Sequence, residues 1–80
     1  MLKNRVRKFL GKGNKAIVVS VRELTVRMFG VNYTKKNIDS IDSVIRDMRR
    51  HGEVEKVERY SHLEGRVVNK YHIKGEHPRW

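Results

Sequence analysis

The segment S-I-D-S-V-I-R-D-M-R-R-H-G-E-V constrains the fold of this chain more than any other part of its sequence. Ile41, Ile45 and Met48 are spaced four and then three residues apart, which places them on one face of an α-helix. Gly52 follows, and Val54 comes two residues after it. A glycine just past the last apolar residue is a helix stop signal. The pattern therefore predicts an amphipathic helix that ends near Gly52 and leads directly into a strand.

The residues after this helix predict a β-hairpin. Residues 54–60 and 66–73 have the composition of two strands, and the polar tip between them ends in Gly65. Side chains alternate between the two faces of a strand. In the second strand this alternation assigns one face to Val67, Asn69, Tyr71 and Ile73, and the other to Val68, Lys70 and His72.

Two further helices are predicted upstream. The first is amphipathic and ends at Gly11; its apolar residues are Leu2, Val6, Phe9 and Leu10. The second begins at Ser20, because Ser20 and Glu23 have the spacing of a capping box, and it ends at Gly30. Its apolar face consists of Val21, Leu24 and Met28. The β-branched run at residues 16–19 predicts a short buried strand between these helices.

The third helix is predicted to start near Lys35 or Lys36. Ile38 then lies on the same face as the apolar stripe, and Val44 flanks that face. The stripe, the terminal glycine and the hairpin together resemble the winged helix-turn-helix family over residues 16–74. The resemblance implies an α+β fold of three helices with a small antiparallel sheet, made of a short strand and a hairpin wing. It also implies that Tyr71 and Ile73 are the apolar pair that closes the core. It implies one domain over residues 1–74 and a tail over residues 75–80. The spacing of Gly30 and Ile41 departs from the compact turn of bacterial repressors.

Charge indicates the class of partner. The 80 residues hold 19 Lys and Arg against 9 Asp and Glu, a formal net charge of +10. Residues 1–36 contribute +9 of this excess, residues 37–52 balance at zero and residues 53–80 add +1. A strongly basic chain favours a polyanionic partner, although a run of charge is also compatible with an ordinary solvated surface.

In the resembled family the third helix enters the major groove of double-stranded DNA, where each base pair shows a distinct set of donors and acceptors. Arg46 is suited to guanine and Asn37 to adenine, while Lys35 and Lys36 suit phosphates. Arg22 stands at the start of the second helix, where a phosphate would be favoured. The predicted DNA-binding residues are Arg22, Lys35, Lys36, Asn37, Ser40, Ser43, Arg46, Arg66 and Lys70. We expect a transcriptional regulator, with a homodimer as an open alternative.

Two acidic residues on the same helix keep a different function open. Phosphates would repel Asp39 and Asp42. Asp42 can instead hold the guanidinium of Arg46, which lies four residues further along the helix. An acid can also accept a hydrogen bond from the amino group of cytosine. A winged helix that binds another protein is therefore one alternative. The second alternative is an RNA-binding or ribosomal protein, which the small size and the positive charge of the chain favour.

Other classes of function have little support in the sequence. The four histidines share no metal-ligand spacing, no serine stands with a histidine as a nucleophile, and there is no cysteine. We expect no enzyme activity, metal, cofactor or small-molecule ligand. No secretory leader or membrane span is indicated, so a cytoplasmic location is expected. The absence of glutamine and cysteine and the high charged fraction are typical of proteins from hot environments. In this the chain is similar to small winged-helix regulators of archaea or their viruses, for which the location would be the host cytoplasm.

Overall fold

The computed structural model of the chain describes residues 2–11 and 17–74. Three helices precede a two-stranded antiparallel sheet, so the predicted α+β class with three helices is confirmed. The elements are α1 (Leu2–Leu10), α2 (Val21–Phe29), α3 (Lys35–Arg50), β1 (Val54–Ser61) and β2 (Arg66–Ile73). The predicted tail at residues 75–80 lies outside the described residues.

Helices α2 and α3 begin and end where local chemistry favours it. Ser20 and Glu23 form the predicted capping box, in which the Glu23 N–H donates to Ser20 Oγ at 3.1 Å and the Ser20 N–H donates to Glu23 Oε1 at 2.9 Å. After α3, Gly52 adopts φ 73°, a conformation that favours glycine. The Glu53 N–H then donates to the Met48 carbonyl at 2.8 Å, as in a Schellman motif.

The core forms where α3 meets the other elements. Ile41, Ile45 and Met48 are at most 1% exposed, which confirms the predicted stripe. The remaining core residues are Val6, Leu10, Val19, Leu24 and Val54. Tyr71 and Ile73 pack against this cluster, as predicted. Phe9 does not join it and is 39% exposed, because it lies at the margin of the stripe that Val6 and Leu10 define on α1.

The expected short strand at residues 16–19 is reduced to a single bridge. Val19 pairs with Tyr71 through N–H···O bonds of 3.2 and 2.7 Å. Ser20 is already the N-cap of α2, so the extended segment ends before a ladder can form. Ala16 lies outside the described residues.

The second face of the hairpin is covered more than the sequence predicts. His72, expected to point away from the core, is 7% exposed. It shares a sheet face with Lys70, whose ammonium lies 3.3 Å from Glu23 in the first turn of α2. The alternation of one strand cannot reveal a helix that packs on its outer face.

The central position of the α3 stripe yields a prediction of stability. Ile45→Ala should lower the free energy of unfolding by about 2–5 kcal/mol, because the cavity forms in a packed core. Val31→Ala is the control, since Val31 is 82% exposed, and its effect should stay within about 0.5 kcal/mol. Urea unfolding followed by circular dichroism measures both. Equal stability of the Ile45→Ala variant and the parent chain would contradict the assigned core.

Candidate nucleic-acid interface

The start of α3 is fixed by a second capping box. The Thr34 N–H donates to Asn37 Oδ1 at 2.9 Å, and the Asn37 N–H donates to Thr34 Oγ1 at 3.2 Å. The sequence prediction did not include this pair, because the usual capping box has Glu or Gln at the third helical position. Asn37 thus uses its carbonyl oxygen to hold the helix start. In a contact with adenine, that oxygen would have to accept a second hydrogen bond.

The buried stripe determines which side chains α3 presents outward. Successive residues of a helix are rotated by about 100° about its axis. This rotation identifies the positions that lie opposite the stripe of Ile41, Ile45 and Met48. They are Lys36, Asp39, Ser43, Arg46 and Arg50, and all five are exposed. Ser40 and Asp42 are half-buried on the two flanks. This outer face of α3 brings together three of the predicted third-helix residues, which are Lys36, Ser43 and Arg46.

Two lysines lie at the N-terminal end of α3, where the partial positive charge of the helix disfavours cations. Lys35 and Lys36 are exposed in the first turn of α3, which contains no acidic residue. The N-terminus of a helix carries partial positive charge, and cations there are typically unfavourable by a few tenths of a kcal/mol. An external anion such as a phosphate would convert this repulsion into attraction. Local unfavourable choices of this kind are expected at functional sites.

The opposite end of the outer face is also cationic. Arg46 Nη2 lies 3.0 Å from Asp42 Oδ2, as its spacing predicts, and the Arg46 side chain remains 76% exposed. Arg49 and Arg50 follow in the last turn. The sequence prediction omitted Arg50, although helical spacing from Lys36, Ser43 and Arg46 would have found it. Lys36 and Arg50 are 14 residues apart, or about 21 Å along the axis.

Two of the cations of α1 form ion pairs with acids of later segments of the chain. Lys3 Nζ lies 2.9 Å from Asp47 Oδ2 and 3.3 Å from Glu53 Oε2, while Arg7 Nη2 lies 2.6 Å from Glu53 Oε1. The hydrogen bond from Lys3 lowers the pKa of Asp47, and the bond from Arg7 lowers the pKa of Glu53. The same bond to Asp47 raises the pKa of Lys3. These pairs join α1 to α3 and to the segment between α3 and β1, and they neutralise the acid on one flank of α3.

Lys70, predicted as a wing contact, lies in a polar network between the hairpin and α2. Its side chain is 14% exposed, and its ammonium lies 3.3 Å from Glu23 Oε2. Ser61 Oγ donates to the same carboxylate oxygen at 2.6 Å, and Ser61 is fully buried. Burial favours the neutral form of Glu23, but the hydrogen bonds from Ser61, Ser20 and Lys70 outweigh it and lower the pKa of this carboxyl.

Arg22, predicted as a phosphate contact, lies in the same region. Its Nη1 donates to Tyr33 Oη at 2.7 Å, and its Nε lies 3.6 Å from Glu64 Oε1. Glu64 also accepts from Ser20 Oγ at 2.7 Å. Two carboxylates, those of Glu23 and Glu64, thus occupy the positive end of α2. The structure does not offer this helix end to a phosphate.

The predicted site residues therefore fall into three groups. Those on the accessible part of α3 are Lys35, Lys36, Ser40, Ser43 and Arg46. Arg66 is exposed at the start of β2, opposite Ser61. Arg22, Asn37 and Lys70 all take part in hydrogen bonds or ion pairs that stabilise the fold.

Within residues 2–11 and 17–74, no group of three or more His, Asp or Glu side chains is placed to hold a metal ion. None of the helices in these ranges has the length and apolar character needed to cross a bilayer.

Comparison of the chain with protein-family models, with curated proteins and with solved structures gave no match. Any assignment of function must therefore come from the geometry of the chain itself.

The Glu23 network yields a prediction of pH dependence. A carboxyl whose pKa is lower in the folded state stabilises the fold above its unfolded pKa, near 4.5 for Glu23, and loses that effect as the pH falls through the folded value. We expect the free energy of unfolding of the parent chain to fall below about pH 4.5. Glu23→Gln should cost about 1–3 kcal/mol at pH 7, because hydrogen bonds to a charged acceptor are lost.

Asp39→Asn is the control for this measurement, because Asp39 is exposed on α3. The stability of Asp39→Asn at pH 7 should stay within about 0.5 kcal/mol of that of the parent chain. The loss of stability below about pH 4.5 should be smaller in Glu23→Gln than in the parent chain. Urea unfolding at several pH values measures these differences. An unchanged stability of Glu23→Gln at pH 7 would show that the network contributes nothing.

Proposed function

We propose that the chain is a winged helix-turn-helix domain that binds double-stranded DNA. The order of its elements supports this fold, since three helices precede a hairpin that packs on the core. The bridge between Val19 and Tyr71 stands where the short first strand of that family would pair. In this proposal α3 lies in the major groove, and the hairpin of β1 and β2 is the wing beside the backbone or minor groove.

The outer face of α3 is the observation that carries the proposal. It has exposed cations at both ends, with Asp39 and Ser43 between them, over about 21 Å. The major groove is about 12 Å wide and is bordered by phosphates on both strands. Lys36 at one end and Arg50 at the other are suited to those two borders, and Ser43 and Arg46 would face the base edges between them.

Each side chain has a distinct role in this arrangement. Arg46 can donate two parallel hydrogen bonds to guanine O6 and N7, and Asp42 at 3.0 Å restricts the orientation of its guanidinium. The exposed hydroxyl of Ser43 is a short donor or acceptor for a base edge or phosphate. Lys35, Lys36 and Arg50 contact phosphates, which positions the helix without reading sequence. On the wing, Arg66 is the proposed backbone contact.

The proposed role of this binding is transcriptional regulation by occupancy. Within the described residues the chain forms one small unit built around a single core. Such a unit would act by blocking or recruiting the transcription machinery at the site it covers. This role would be carried out in the cytoplasm, or in the host cytoplasm for a viral protein.

One observation favours a second candidate function, that of a protein-interaction adaptor. Asp39 is exposed in the middle of the outer face of α3, where a phosphate would repel it. A basic surface on a partner protein would instead attract it. Asp39→Asn separates the two functions, since the loss of this charge should strengthen binding to DNA and weaken binding to such a protein.

The DNA-binding proposal predicts different effects for the cations of α3. Arg46→Ala should cost about 1–3 kcal/mol of binding free energy on the preferred sequence and relax the preference at one base pair. Lys36→Ala should weaken binding to all sequences alike and reduce the slope of log K against log salt by about one. Selection from a random duplex pool at moderate salt, followed by titrations of the enriched duplex, measures both effects.

Lys8→Ala is the matched control, because it removes an exposed charge from α1 rather than from α3. Unchanged affinity and preference in Arg46→Ala and Ser43→Ala, together with lost binding in variants of Lys3, Arg5 or Arg7, would overturn the proposal. Tighter binding to structured RNA than to duplex DNA at equal salt would also overturn it, because the grooves of A-form RNA do not admit a recognition helix.

A further inference from the structure

The outer edge of β1 has no strand partner among residues 2–11 and 17–74. β1 pairs with β2 along one edge, and the bridge between Val19 and Tyr71 lies on the far edge of β2. Between its buried ends the side chains of β1 are exposed, apart from the half-buried Val57. An unpaired edge of this length is a template for another strand.

The hydrogen bonds of the hairpin show which backbone groups of β1 face outward. The Lys74 N–H donates to the Glu53 carbonyl at 3.0 Å, so the hydrogen-bonded pairs of this antiparallel ladder occur at odd-numbered residues of β1. Tyr71, opposite Lys56, directs its N–H and C=O to Val19 instead. The outward-facing N–H and C=O groups therefore belong to the even-numbered residues, which are Val54, Lys56, Glu58 and Tyr60. The Glu58 carbonyl already accepts a hydrogen bond from Arg59 Nη1 at 2.9 Å, so a bond from a second strand would be its second, which a carbonyl oxygen can accept.

We propose that this edge pairs in antiparallel fashion with β1 of a second copy of the chain, about a two-fold axis through Val57. The sequence of β1, V-E-K-V-E-R-Y-S, is complementary to itself in that register. The opposed pairs are Glu55 with the partner's Arg59, Lys56 with the partner's Glu58, and Val57 with the partner's Val57. Val54 lies opposite the partner's Tyr60 in the backbone register, but its side chain is buried in the core of its own chain. Opposite charges and apolar residues directly opposite one another stabilise an antiparallel pair.

The alternative registers near the middle of the strand are all less favourable. A two-fold axis between two residues would place each even-numbered residue opposite an odd-numbered residue of the partner. The N–H and C=O groups of the odd-numbered residues point towards β2, so no hydrogen-bonded ladder would form. An axis through a residue places that residue opposite its own copy. At Glu55, Lys56, Glu58 or Arg59 this brings like charges together, which is destabilising. Among the five central residues, Val57 alone avoids this repulsion.

The geometry also limits the strength of this contact. A pair of edge strands covers less surface than the roughly 1,200 Å² of a stable interface, so the dimer is expected to be weak. The net charge of +10 on each copy opposes association, and salt weakens that repulsion. The two-fold axis relates the α3 helices of the two copies. If the proposed DNA binding holds, the favoured target is an inverted repeat.

Sedimentation velocity without DNA tests the pairing, at about 0.15 M salt where charges are screened beyond about 8 Å. The parent chain should pass from monomer to dimer between about 10 μM and about 1 mM, the range of weak association. In the Lys56→Glu variant, two acids face each other where residue 56 lies opposite the partner's residue 58. In the Glu58→Lys variant, two lysines face each other at the same place. Each variant should raise the dissociation constant about tenfold.

Two complementary combinations should restore the dimer. An equimolar mixture of Lys56→Glu and Glu58→Lys opposes unlike charges again and should form a heterodimer, and the double variant should form a homodimer. Lys74→Glu is the control for Lys56→Glu, since it lowers the net charge by the same amount at an exposed residue that follows β2, and it should lower repulsion without weakening the dimer.

Three results would overturn the proposal. They are a parent chain that stays monomeric at about 1 mM, single reversals that associate as the parent chain does, and a mixture or double variant that fails to recover. Circular dichroism of each variant establishes that the fold is retained. Because no DNA is present, failure of the dimer leaves the DNA-binding proposal intact, and failure to bind DNA leaves the dimer intact.

Discussion

The burial of one face of α3 is the constraint on which the rest of the structure depends. Ile41, Ile45 and Met48 are almost completely buried against residues from α1, α2, β1 and the segment before α2. This burial fixes the rotation of α3 about its axis, and the rotation decides which side chains face outward. A change in the apolar stripe would therefore alter the outer face of α3 without any change in the residues proposed to contact DNA.

The charges of the molecule are divided between stabilising the fold and remaining available to a partner. Lys3 joins α1 to α3, and Arg7 joins α1 to Glu53, which lies between α3 and β1. Lys70 joins the hairpin to Glu23 of α2. A sequence count gives most of the excess charge to residues 1–36, but several of those cations are paired with acids of later elements. What matters for a polyanionic partner is the subset that stays exposed, and on α3 that subset lies at the two ends of one face.

The helices and the hairpin could be predicted from the sequence because their signals are local. Apolar spacing, the capping box at Ser20 and the glycine at position 52 each depend on residues within a few positions of one another, and all are present in the structure. The candidate site was predicted less completely. The roles of Arg22 and Lys70 depend on Glu64 and Glu23, which are 42 and 47 residues away along the chain. No local pattern predicts such long-range pairs, and the Thr34 cap that engages Asn37 does not have the usual sequence form.

The most direct test of the account is to map the DNA contact surface by nuclear magnetic resonance, with a backbone amide spectrum recorded during titration with a duplex. If the outer face of α3 contacts DNA, the largest changes in amide chemical shift should occur along α3, at Lys36, Ser43, Arg46 and Arg50. Smaller changes should occur near Arg66. The amides of Arg5 and Lys8 on α1 should change little. Changes concentrated on α1, with α3 unaffected, would contradict the account, because the outer face of α3 would then have no part in binding.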